Sequence, residues 1–251
     1  SRFTVDADGV VTVADGASFD AETEGSIDIT VTATSTDGST STETFTISVS
    51  DVDEYDVSAV TDSDASANTI AEDATAGSLT GAVVTASDRD VSDSVSYAID
   101  DPRFTIDADG IVSIAEDAAF DAETESTISF TVTATSSDGS QSERVFTISV
   151  RDENEYSVSE LTDANASANS IAEDVSAGTE VGLTAFAEDA DLTDEVTYSV
   201  DDSRFTVDAN GVVTVAEAAS FDAETEGTVN LTVTATSTDG STSTETFTVN
   251  V

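Results

Sequence analysis

Carboxylates separated by one residue recur at a fixed phase along this 251-residue chain. Asp20 and Glu22, Asp121 and Glu123, and Asp222 and Glu224 each lie in the phrase FDAETE. Asp51, Asp53 and Glu54, matched by Asp152, Asn154 and Glu155, follow an apolar-alternating segment. Asp88 with Asp90, and Asp189 with Asp191, form an Asp-x-Asp, while a lone acid, Glu72 or Glu173, sits in IAED. Alternate residues of an extended loop point the same way, so each pair can offer two oxygens to one centre. A hard cation such as Ca²⁺ takes roughly six to eight oxygens from carboxylates, amides and backbone carbonyls. A single Asp-x-Asp is usually a solvated turn. Three kinds of cluster, repeated in phase around one short linker, point to a metal centre.

Composition narrows the chemistry further. The chain has 53 acidic residues against 6 basic ones, all Arg, for a formal charge of −47. Nucleic acid and anionic lipid are excluded as partners, because both need a basic face. The acidity also suits a hydrated, salt-adapted surface, which does not compete with metal binding. With no Cys or His there is no disulfide, zinc site, thiol nucleophile or Ser-His-Asp triad. Every acidic pair recurs in each copy, so no unique paired-carboxylate hydrolase site stands out, and the chain is expected to be non-enzymatic. No apolar run approaches the ~20 residues of a membrane span, so no membrane insertion is expected, and no secretion signal is recognisable.

The elements that must carry these clusters repeat every 101 residues. Phe3, Phe104 and Phe205 open RFTVDADG, RFTIDADG and RFTVDANG, and Phe19, Phe120 and Phe221 open FDAETE. A unit of this size is that of one β-sandwich, and such an array reads as tandem modules. The strands alternate: in Thr127–Thr135, Ile128, Phe130, Val132 and Ala134 share one face and Thr and Ser the other. Asp138-Gly139 supplies a turn, and Arg144–Val150 the partner strand. Further strands are expected at Arg103–Asp107, Ile111–Ala115, Val95–Ile99, Leu79–Ala86 and Asn68–Glu72, with no helix.

The expected fold is all-β, with tandem seven-stranded antiparallel Greek-key sandwiches in a line. The expected division is a half repeat (1–50), an acidic linker (51–56), a repeat (57–151), a second linker (152–157) and a repeat (158–251). Residues 1–50 hold only the last four strands of a unit. The rest would come from preceding residues of a longer array or from another chain.

The order IAED…AGT, D-x-D, FDAET, TATSTDG, FTISVxDxxE resembles the cadherin repeat, especially the cadherin-like repeats of giant bacterial surface adhesins. The resemblance implies immunoglobulin-like sandwiches joined by Ca²⁺-binding junctions. It makes Glu72, Asp121, Glu123, Asp152, Asn154, Glu155, Asp189 and Asp191 ligands at one junction. Asp20, Glu22, Asp51, Asp53, Glu54, Asp88 and Asp90 are ligands at the other, and Glu173, Asp222 and Glu224 repeat the pattern. It departs from the family where the last linker position is Tyr55 or Tyr156, and where Ser35, Ser136 and Ser237 replace an Asp. The implied function is a calcium-rigidified spacer of a secreted, extracellular adhesin or filament. Its partners would be neighbouring repeats and like chains. The alternative is a polysaccharide-binding module, for which only Tyr55, Tyr97, Tyr156 and Tyr198 offer Tyr platforms.

Overall fold

A computed structural model describes residues 1–251. Four strands occupy residues 1–50: β1 (Phe3–Val5), β2 (Val11–Val13), β3 (Ser26–Thr34) and β4 (Thr40–Ser48). The central copy has eight: β5 (Thr61–Asp62), β6 (Thr69–Ala71), β7 (Leu79–Thr85), β8 (Val95–Ile99), β9 (Phe104–Ile106), β10 (Ile111–Ile114), β11 (Thr127–Ser136) and β12 (Gln141–Arg151). The last copy has β13 (Thr162–Asp163), β14 (Glu180–Phe186), β15 (Val196–Val200), β16 (Phe205–Val207), β17 (Val212–Val215), β18 (Thr228–Ser237) and β19 (Thr242–Asn250). The chain divides into two compact units, residues 1–70, 75–118 and 128–148, and residues 71–74, 119–127 and 149–251.

The fold is an all-β sandwich with Greek-key crossovers. In the central copy one sheet runs β5-β7-β10-β9 and the other β6-β12-β11-β8; in the last copy they run β13-β14-β17-β16 and β15-β18-β19. Period-two patterning builds both faces. In β11 Ile128, Phe130, Val132 and Ala134 are buried between partly or fully exposed Thr and Ser. Phe130 lies 4.9 Å from Phe104 and stacks on Phe146 at 6.1 Å. Leu183, Leu231, Val213, Val233 and Val249 close the last core. Residues 1–50 form two two-stranded sheets, β1-β2 and β3-β4. Their inner face is open: Val13 is 60% exposed where Ile114 and Val215 are 2% and 3%.

Two turns recur and fix the hairpins. At the tip of β9-β10, Asp107 Oδ1 accepts the N–H groups of Asp109 and Ile111 at 3.0 and 2.9 Å. Gly110, at φ +79°, then brings its carbonyl to the Val84 N–H at 2.8 Å, where the β10-β7 register shifts. A Cβ at Gly110 would lie 1.9 Å from the Val84 carbonyl oxygen. Gly211 repeats this against Ala185. At the tip of β11-β12, Asp138 Oδ1 accepts the Ser140 N–H at 2.7 Å.

Candidate metal centre

The phrase FDAETE is anchored before it can present a ligand. Phe19 packs on Phe3 and Phe221 on Phe205, at 5.6 and 5.5 Å. Arg2 and Arg204 lie over the Phe19 and Phe221 rings at 5.1 and 5.0 Å and bind Glu24 and Glu226, the last acids of the phrase. The first acid caps the turn: Asp20 Oδ1 accepts the Thr23 N–H at 3.1 Å, and Asp121 Oδ1 the Thr124 N–H at 2.8 Å. The middle acid, Glu22 or Glu123, is left for the junction.

Linker and loop are then laced together. Asp51 Oδ2 accepts the Ser92 N–H at 2.9 Å, and Asp90 Oδ2 the Tyr55 N–H at 2.9 Å. The second junction repeats this: Asp152 Oδ2 accepts the Thr193 N–H at 2.9 Å, and Asp191 Oδ2 the Tyr156 N–H at 3.1 Å. Glu72 adds a strut there, its Oε2 accepting the Ala122 N–H at 2.7 Å and its Oε1 the Glu153 N–H at 2.6 Å.

The lacing gathers oxygens into tight groups. Glu22, Asp51, Glu54 and Asp90 each offer one ligand atom within 4.8 Å of the others, as do Glu72, Glu123, Asp152 and Glu155. Asp88, Asp90 and Asp93 form a further group, matched by Asp189, Asp191 and Asp194. Glu173, Asp222 and Glu224 form an exposed one. Asp20, Asp121 and Asp53 stand outside these groups, while the Asn154 side-chain amide donates to Asp194 at 3.4 Å. Asp93 and Asp194 join them although the alternate-residue pattern does not reach them; their signal is a third acid three residues after the Asp-x-Asp.

The groups fit a hard cation. With the carboxyls ionised, seven of their oxygens, on Glu22, Asp51, Asp88, Asp90, Glu123, Asp152 and Asp189, are buried and accept no hydrogen bond. The donors are all oxygen, the set that Ca²⁺ takes and that softer metals do not select.

Crowding perturbs the carboxyls in the metal-free chain. A hydrogen bond shared with Asp51 pushes Glu22 up to about 7, while Asp51 is held low, chiefly by the Ser92 hydroxyl. Desolvation, then the charges of Glu72, Glu123 and Asp191, push Glu155 up to about 7. Glu123 is raised by the hydrogen bond it shares with Asp152, which is lowered by the same bond. A carboxyl raised in the folded state stabilises it fully below the unfolded value and loses that contribution as pH rises through the folded one. The lowered groups, Asp51 and Asp152, act only near and below the ordinary carboxylate range. In chelator, therefore, the melting temperature is expected to rise as pH falls from about 8 to about 5.5. Saturating Ca²⁺ is expected to flatten the slope. A melting temperature that falls with acid across this window contradicts the crowding.

The tyrosines divide by role. The Tyr97 and Tyr198 hydroxyls donate to the carbonyls of Ala86 and Ala187 at 3.1 and 3.0 Å, so both serve the sandwich. Tyr55 carries Arg89 over its ring at 4.4 Å, and Tyr156 is 46% exposed.

No model of a known protein family matches the chain, and no curated protein does. Solved structures do. The chain is similar to the protocadherin GammaB4 extracellular domain, with a TM-score of 0.70 and 20% identity over 99% of this chain and 40% of that one. It is similar to mouse cadherin-23 EC22-24, with a TM-score of 0.65 and 22% identity over 100% of this chain and 82% of that one. The protocadherin gammaB7 EC3-6 cis-dimer structure gives 0.72 and 22% over 100% and 63%. The chain thus spans less than two thirds of both protocadherin structures. At these identities the likeness establishes a cadherin-like fold.

Proposed function

We propose that the chain is a calcium-stiffened spacer of a secreted bacterial adhesin or extracellular filament. In this reading a half repeat (1–50) and two repeats (57–151 and 158–251) are joined by acidic linkers (51–56 and 152–157). The carrying observation is the recurrence of the tight acidic groups, with buried unpartnered oxygens, around both linkers. The groups draw on successive segments of the chain. At the first junction Glu22 comes from one copy, Asp51 and Glu54 from the linker, and Asp90 from the next copy. At the second, Glu72 and Glu123 come from one copy and Asp152 and Glu155 from the linker, with Asp189, Asp191 and Asp194 of the next copy forming a separate group beside it. An ion held by such a set ties consecutive copies together. Glu72 belongs to the second junction's group, Glu173 with Asp222 and Glu224 repeats the pattern within the last copy, and Asp20, Asp53, Asp121 and Asn154 support from the flanks. The partners are neighbouring repeats and like chains of an extracellular assembly.

The energetics suit a switch. Two carboxylates about 4 Å apart repel by about 1 kcal/mol in water, and more where water is displaced. Extracellular Ca²⁺ modules bind at about 10⁻⁴–10⁻³ M, and a ligand at 100 times its dissociation constant stabilises the folded state by about 2.7 kcal/mol. The test is small-angle scattering with thermal melting, in millimolar Ca²⁺ and then in chelator at fixed ionic strength. A narrower distance distribution and a higher melting temperature with Ca²⁺, unmatched by Na⁺, are expected. If neither responds, the acids form a hydrated surface and the spacer reading fails.

A further inference from the structure

The two junctions share a plan and differ in charge at a loop position and at a linker position, where the first has Asp53 and the second Asn154. Where the second loop has Ala190 between Asp189 and Asp191, the first has Arg89 between Asp88 and Asp90. Both positions are exposed, so the difference lies outside the core. The Arg89 guanidinium carbon sits 4.4 Å over the Tyr55 ring. Tyr55 in turn gives its N–H to Asp90, which belongs to both acidic groups of that junction. The ring therefore holds a positive charge on the linker residue whose backbone N–H binds this acidic group. Arg89 takes part in none of the ion pairs of the chain. The second junction also has a nearby cation, Arg151, where the first has Ser50. It is two-thirds exposed and faces Glu153 at 3.5 Å. Glu153 stands where the first junction has Val52, so that positive charge arrives with its own counter-charge.

We infer that Arg89 is a tethered cation that lowers the Ca²⁺ affinity of the first junction, opposing the extra negative charge that Asp53 places there where the second junction has Asn154. This rests on the calcium reading and names its regulation. Residue type at this one position would tune each junction without touching its ligands. A unit positive charge about 8 Å from a divalent ion changes the affinity about fivefold in water. Ionic strength screens that interaction, so the effect shrinks as salt rises.

The test is calorimetric Ca²⁺ titration of the full chain at low ionic strength, reading one junction at a time. Glu123→Gln with Asp152→Asn leaves the first junction, and Glu22→Gln with Asp51→Asn leaves the second. In the former background Arg89→Ala is expected to tighten binding about fivefold, and Arg89→Lys, which keeps the charge, to leave it within twofold. In the latter, Ala190→Arg is expected to weaken binding about fivefold, and about 0.3 M NaCl to erase both effects. An Arg89→Ala change under twofold, or an Arg89→Lys change as large as that of Arg89→Ala, overturns the inference while leaving the calcium reading intact. If neither background takes up Ca²⁺, the calcium reading itself falls, and the inference with it.

Discussion

Gly211→Ala is expected to destabilise the last copy by roughly 3 kcal/mol, a large share of the about 5–15 kcal/mol of an ordinary folded domain and a clear shift of its unfolding midpoint. Two penalties combine. The residue sits at φ +79°, where an L side chain is strained by about 1–2 kcal/mol. In addition, the new Cβ would lie 1.8 Å from the Ala185 carbonyl oxygen, which belongs to backbone and cannot swing aside. The strand would have to back away, breaking the 2.8 Å bond from the Ala185 N–H to the Gly211 carbonyl. Gly240→Ala is the control. It has φ +94° and nothing within 4 Å of its Cβ, so only the conformational penalty of about 1 kcal/mol applies. Urea melts of both variants separate the terms. Equal losses at the two positions would show that the close approach at Gly211 is unimportant.

The same glycine shows where the sequence stops speaking. DANG reads as a turn from composition, and Asp208 and Gly211 fill the roles that such a turn demands. That Gly211 also meets a third strand is a long-range fact with no local signature. The long strands β11 and β18 were legible because four inward apolar residues alternate with Thr and Ser. β8 was legible to the residue. β5 and β13 were not: two residues, Thr61–Asp62 or Thr162–Asp163, are too short for any periodicity. Their place is held by a side chain, since Asp62 Oδ1 accepts the Val83 N–H at 3.2 Å and Oδ2 binds Asn68 at 3.0 Å. Arg103 was expected to open a strand, but it lies in a turn, its guanidinium bound to Asp101 at 2.8 Å. The acidic groups were legible in their repetition. Which acid of each pair faces the junction was not, because Asp20 and Asp121 are claimed by turn N–H groups that only the folded phrase presents.

That division of labour makes the second junction the place where cation chemistry and fold stability can be set against each other. The double variant Glu123→Gln, Asp152→Asn keeps side-chain size and removes two charges from the group shared with Glu72 and Glu155. In chelator it is expected to raise the melting temperature, because each close carboxylate pair removed relieves about 1 kcal/mol of repulsion. In millimolar Ca²⁺ it is expected to lower the melting temperature relative to the parent, by forfeiting up to about 2.7 kcal/mol of ligand stabilisation at that junction. The two melting curves, parent and variant, therefore cross as free Ca²⁺ rises. A purely structural role for Glu123, through the bond from the Leu192 N–H to its Oε1 at 3.4 Å, lowers stability under both conditions. A hydrated acidic surface raises it under both, since nothing is lost when the cation is present. Only oxygens crowded in order to hold a cation change sign with it, and the sign in Ca²⁺ relative to chelator decides between the three.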